Sequence, residues 1–163
     1  MNQALSHLPE IRLMGITART SNAAEMNPAT AQIGATMQRF FTNNLPNQIP
    51  NRKQPGKIFA VYTDYESDVN GPYTYFLGEE VTTLDTIPEG FTTLTIPAQL
   101  YAKFTSLPGQ MPDVVIQLWQ KIWGMNAHAL GGHRAYKADF EIYDERSHDM
   151  SQAVVDIFIG LEG

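Results

Sequence analysis

Apolar side chains follow two periods along this chain, and the change from one to the other marks its elements. Residues 11–17 are apolar and β-branched and read as a first strand. Asn27-Pro28 then carries the signature of a helix start, because asparagine caps well and proline is tolerated in the first turn. Ile33, Met37, Phe40 and Phe41 follow at helical spacing and form one apolar stripe. The Asn- and Pro-rich run 43–56 ends that helix in a long loop. Residues 58–65 are a strand by composition, a turn is expected at Val69-Asn70-Gly71-Pro72, and 73–81 returns as the second arm of a hairpin.

After Asp85 the same order begins again. Residues 91–106 hold two β-rich stretches interrupted at Pro97. Pro112 opens a second helix, with Asp113 in the first turn where the helix dipole favours a carboxylate. Val115, Trp119, Ile122 and Trp123 form its apolar face, and Gly124 suits its end. A loop holding His128, Gly131, Gly132 and His133 leads to two closing strands within 135–145 and 153–162. Phe76-Leu77-Gly78-Glu79-Glu80 is echoed by Phe158-Ile159-Gly160-Leu161-Glu162, and Tyr62-Thr63-Asp64 by Tyr143-Asp144-Glu145. An ancient duplication accounts for this. The expected fold is α+β over a single domain, 1–163, built from two strand–helix–strand–strand units spanning about 10–82 and 90–163. Their strands would share one antiparallel sheet with both helices on one face, leaving a groove at the pseudo-twofold axis as the natural cavity.

Composition narrows the function. A chain of 163 residues suits one domain, and 43% hydrophobic with 17% charged residues is globular. The absence of cysteine excludes disulfides and thiolate chemistry. The formal net charge is −6, and the basic residues are scattered apart from Arg52, Lys53 and Lys57 in a loop. A phosphate-neutralising stripe is therefore not expected, nor is direct nucleic-acid binding. The opening residues have no basic and apolar leader, and no apolar run approaches the roughly 20 residues of a membrane span. A cytoplasmic protein without a membrane anchor is the expectation.

Glu141 is the first chemical candidate, because it interrupts a core-like run, Phe140-Glu141-Ile142-Tyr143. Alternation places it either on a solvated face with Asp139 and Tyr143 or in a pocket. Held dry, its pKa would rise unless a cation or hydrogen-bond donors compensate. Aromatic faces are available in Trp119, Trp123, Tyr62, Tyr73, Tyr75, Tyr101 and Tyr143, and would attract a bulky organic cation. Trp119 and Trp123, four apart on one helix face, equally suit core filling. His128 and His133 do not have a metal-ligand spacing, and no nucleophile elbow, phosphate loop or dinucleotide fingerprint occurs, so no metal and no cofactor are expected. Glu79 and Glu80 point to opposite faces of their strand and suit a surface role.

With these residues in view, a family resemblance emerges. Ile49-Pro50-Asn51-Arg52, the run from Tyr62 to Asp68, Tyr73-Thr74-Tyr75, and the run from Ala135 to Asp144 resemble the GyrI-like family. This is the AraC-type effector-binding domain, and the likeness is greatest to its stand-alone YdeE-like members. The resemblance implies the duplicated fold, a site for hydrophobic and often cationic compounds, Glu141 as its acidic contact, and Trp123 beside Trp119 as a wall. Regulators of that family carry a separate DNA-binding domain for which 163 residues leave no room. Three readings follow: a stand-alone binding protein for such cations, acting in transcription regulation or drug response; a hydrolase of reactive electrophiles using Glu141; or a partner of gyrase or of a regulator. An exposed sheet face or edge could also mediate a homodimer.

Overall fold

A computed structural model describes residues 3–67 and 71–162, so Val69 and Asn70 of the expected turn lie outside the described residues. The strands are β1 (Gln3–Leu8), β2 (Ile11–Thr20), β3 (Ile58–Thr63), β4 (Tyr73–Glu80), β5 (Thr92–Ile96), β6 (Gln99–Thr105), β7 (Ala138–Tyr143) and β8 (Asp156–Leu161). Two longer helices, α2 (Ile33–Thr42) and α3 (Asp113–Trp123), accompany two single turns, α1 (Asn22–Glu25) and α4 (Ala127–Leu130). The fold is α+β, with a single antiparallel sheet in the order β1-β6-β8-β7-β3-β4-β2-β5.

That order is symmetric about the β7–β3 pair. The unit β2–α2–β3–β4 lies on one side of it and β6–α3–β7–β8 on the other. Each unit receives its edge strand from the chain segment that precedes the other. β1 runs into β2 through Pro9-Glu10 yet pairs with β6, and β5 runs into β6 through Pro97-Ala98 yet pairs with β2. Three Cα steps at 3.80 Å reach about 11 Å, whereas six strand spacings in a flat sheet span about 29 Å. The sheet must therefore curl until its two edges approach. Its inner face closes on one cluster drawn from both halves, including Leu13, Phe59, Phe76, Ile96, Tyr101, Phe140 and Phe158.

The outer face carries the helices. α3 buries Val114, Val115, Leu118, Trp119 and Ile122 against Ala102, Phe104, Ile157 and Ile159. α2 sets Phe40 against a cluster containing Met14, Ile16, Tyr75 and Leu77. The shared glycines of β4 and β8 answer to crowding. A Cβ at Gly78 would lie 2.2 Å from the Met14 carbonyl oxygen, and one at Gly160 would lie 2.7 Å from that of Ala138.

Three expectations are corrected. β1 falls in a segment to which the sequence pattern assigns no element, ahead of the first unit expected from about residue 10. α2 begins at Ile33 rather than at Pro28, because Glu25 accepts hydrogen bonds from the Gln32 and Ile33 amides at 2.7 and 3.1 Å and supplies the anionic cap, while Asn27-Pro28 forms a turn. His128 lies on α4 rather than in a loop; Asn126 caps that turn by accepting from the Ala129 amide.

Candidate functional site

With α3 packed over β6 and β8 and α2 over β2 and β4, the central strands β7 and β3 lie between the two helices. Alternation sends Ile58, Ala60 and Tyr62 of β3, and Asp139, Glu141 and Tyr143 of β7, toward the helix side. The register sets Ala60 opposite Glu141, Tyr62 opposite Asp139 and Ile58 opposite Tyr143.

Glu141 is 2% exposed and three side chains converge on its carboxylate. The Tyr62 hydroxyl and the Trp119 indole N–H donate to Oε2 at 2.7 and 2.6 Å, and the Tyr143 hydroxyl donates to Oε1. No ion pair among the described residues involves Glu141. Burial raises its pKa above the ordinary carboxylate value, and the bonds from Tyr143, Trp119 and Tyr62 offset part of that rise. Burial also holds the Tyr62, Tyr75 and Tyr143 hydroxyls well above the usual phenol range, with the neighbouring carboxylate adding to it, so they remain donors at physiological pH.

Rings surround this acid. Trp119 meets Tyr62 edge-on at 5.3 Å between centroids, and Tyr62 meets Tyr73 at 5.6 Å and Tyr75 at 5.5 Å. Trp123 lies 6.0 Å from Trp119 and is 50% exposed, so it forms the open end of the assembly. Tyr75 is fully buried, and its hydroxyl has no hydrogen-bond partner among the described residues. Seven of the eight candidates thus come together on the helix side.

Tyr101 does not. It points to the inner face of the curled sheet, against Phe140 at 5.2 Å and Phe158 at 6.0 Å. The cause is parity, since its neighbour Ala102 is the β6 residue that faces α3. Glu79 also departs from its expected surface role. It is fully buried on β4, with Arg52 Nη1 at 3.5 Å, and burial raises its pKa; Glu80 faces the other way, toward Lys53.

Sequence reasoning passed over a second acid in the same row. Asp139 is fully buried and accepts from the Tyr65 hydroxyl at 2.6 Å, from Arg134 Nη2 at 2.7 Å and from the Gly160 amide at 2.7 Å. The signal was present in the i, i+2 spacing of Asp139 and Glu141, which puts both on one face of a strand. Among the described residues no cluster of His, Cys, Asp or Glu is arranged to hold a metal ion. No helix among the described residues is long and apolar enough to cross a membrane.

The model of the integron-associated effector binding protein family, Cass2, matches residues 4–161. YobU of Bacillus subtilis (strain 168), provisionally named a transcriptional regulator protein, is 30% identical over 158 residues, covering 97% of this chain and 96% of YobU. An integron cassette protein from the mobile metagenome of Vibrio cholerae has a crystal structure that matches with a TM-score of 0.76 at 30% identity, over 98% of this chain and 95% of that one. The structure of SAV2435 bound to tetraphenylphosphonium matches with a TM-score of 0.76 at 18% identity, over 100% of this chain and 95% of that one, a likeness of fold. The chain belongs to the integron-associated effector-binding protein family.

Proposed function

We propose that this protein is a cytoplasmic effector-binding module that holds hydrophobic organic cations, with ionised Glu141 as the counter-charge. Tyr62, Tyr73, Tyr75, Tyr143 and Trp119 are the walls, and Trp123 is the half-exposed entrance. The observation that carries this reading is a carboxylate 2% exposed, surrounded by aromatic side chains of which three donate hydrogen bonds to it, with no basic side chain paired to it among the described residues. Burying an acid without a partner costs stability. A ligand that supplies the missing positive charge regains that cost, and each ring face adds roughly 0.5–2 kcal/mol of cation–π attraction.

Such a site sets charge and bulk more tightly than shape, so chemically unrelated lipophilic cations should compete for it. That suits a sensor in drug response or transcription regulation, as the GyrI-like resemblance implies. The tetraphenylphosphonium held by SAV2435, a protein of the same fold, is a ligand of this chemistry. The test is a tryptophan-fluorescence titration with tetraphenylphosphonium, because Trp119 and Trp123 are the two tryptophans of the chain and both stand in the site. Glu141→Gln should weaken binding at least tenfold, about 1.4 kcal/mol. Unchanged affinity in that variant would remove Glu141 as the counter-charge.

A further inference from the structure

The rings beside Glu141 do not end at Tyr73. Tyr65 lies 5.9 Å from Tyr73 and Tyr136 lies 5.8 Å from Tyr65, so one belt runs from Trp123 through Trp119, Tyr62, Tyr73 and Tyr65 to Tyr136. Beneath its far half sits the second acid, Asp139, two residues from Glu141 on the same face of β7 and therefore about 6.6 Å along the strand. This half already holds a cation. The Arg134 guanidinium lies 4.5 Å over the Tyr136 ring and donates to Asp139 at 2.7 Å, with side-chain exposures of 10% and 0%.

We propose that Arg134 is a built-in occupant of a second cation subsite and so restricts the protein to ligands with one positive charge. The inference rests on the reading of Glu141 given above. The two halves of the belt share one chemistry: a buried carboxylate, tyrosine hydroxyl donors and neighbouring aromatic rings. They differ in where the cation comes from. The Arg134 loop leaves α4 through Gly131 (φ 92°) and returns through Tyr136 (φ 52°), a left-handed conformation that non-glycine residues seldom adopt. The fold therefore accepts local backbone strain where the guanidinium and its ring are placed over Asp139. The fit is incomplete, because the buried Arg134 Nε has no hydrogen-bond partner among the described residues. A dication reaching from Glu141 toward Asp139 meets this fixed positive charge and is disfavoured.

The test compares two flat probes of similar size by calorimetric titration, the monocation N-methyl-4-phenylpyridinium and the dication 1,1′-dimethyl-4,4′-bipyridinium. The parent should bind the monocation at least tenfold more tightly than the dication, and a parent that prefers the dication overturns the proposal. Arg134→Gln frees Asp139 and should shift the affinity ratio at least tenfold toward the dication. The double variant Arg134→Gln with Asp139→Asn should return the ratio to that of the parent. If Arg134→Gln does not fold, Arg134→Met serves instead; it keeps an apolar stem over the Tyr136 ring, carries no charge and should shift the ratio in the same direction. A parent-like ratio in the folded single variant, or a shift that persists in the double variant, overturns the proposal. If the parent binds neither probe in a Glu141-dependent way, the Glu141 site itself fails and this inference falls with it, an outcome separate from an unchanged ratio.

Discussion

Tyr62 and Tyr143 stand on the two central strands and donate their hydroxyls to opposite oxygens of one carboxylate, that of Glu141. Each side chain packs against the apolar clusters of both halves, so the pair ties the molecule together across its centre. The frame is symmetric and the charge is not. Ala60 lies opposite Glu141, so the centre holds one acid where a fully symmetric molecule would hold two mutually repelling ones. Tyr62→Phe or Tyr143→Phe should each cost about 1–3 kcal/mol, since each removes a donor from a buried acid. Both should push the Glu141 pKa higher still. Urea denaturation at several pH values checks both effects, and coupling between the two changes is expected because they share one acceptor.

Glu141→Gln should stabilise the unliganded protein at neutral pH. The folded-state pKa of Glu141 lies above its unfolded value, so the native state binds more protons between the two. The parent's stability therefore falls as pH rises from about 4.5 through the raised pKa and stays at the lower level beyond it. The variant carries no such loss. Its amide oxygen can accept from Trp119 and Tyr62 while its nitrogen donates to the Tyr143 oxygen. Thermal unfolding reads the gain as about 2–4 °C per kcal/mol for a chain of this size.

Trp119 and Trp123 should separate stability from binding. Trp119→Phe removes a buried donor to Glu141 and should cost about 1–3 kcal/mol. Trp123→Ala removes a half-exposed ring and should change stability by less than about 1 kcal/mol. Cation affinity should nonetheless fall severalfold with the lost ring face, roughly 0.5–1 kcal/mol at an exposed position. Paired unfolding and titration curves distinguish the two.

Much of the fold is legible in the amino-acid sequence because period and breaker residues agree. Pro97 divides β5 from β6, and Pro112 and Gly124 bracket α3. β1 was missed because Ser6 and His7 weaken its apolar signal, and what holds it is pairing with β6, 91 to 101 residues distant. The start of α2 was misplaced because its cap is the side chain of Glu25, seven residues upstream of Gln32. Within the site, the shared face of Asp139, Glu141 and Tyr143 follows from alternation alone. Which side of the sheet that face takes does not, because parity is fixed only by what packs above and below. Tyr101 failed for that reason, and Arg134 and Tyr136 escaped notice because a loop brings them to Asp139.

Tyr101→Phe is a control for that parity. The Tyr101 hydroxyl is buried on the inner face with no partner among the described residues. Removing it should leave stability unchanged or slightly raised, by the logic of deleting an unsatisfied polar group. Cation binding should be that of the parent. A loss of affinity in this variant would mean that ligand reaches the interior of the curled sheet.

Proton release on binding tests most directly whether Glu141 is the charge that meets the ligand. Calorimetric titration of tetraphenylphosphonium in buffers of differing ionisation enthalpy counts the protons set free. Below the raised Glu141 pKa the parent should release up to one proton per cation bound, and its affinity should fall as pH falls through that pKa. Glu141→Gln should bind weakly, with no proton release and no such pH dependence. Tight binding by the parent without proton release at acidic pH, matched by Glu141→Gln, would contradict a buried carboxylate as the ligand's counter-charge.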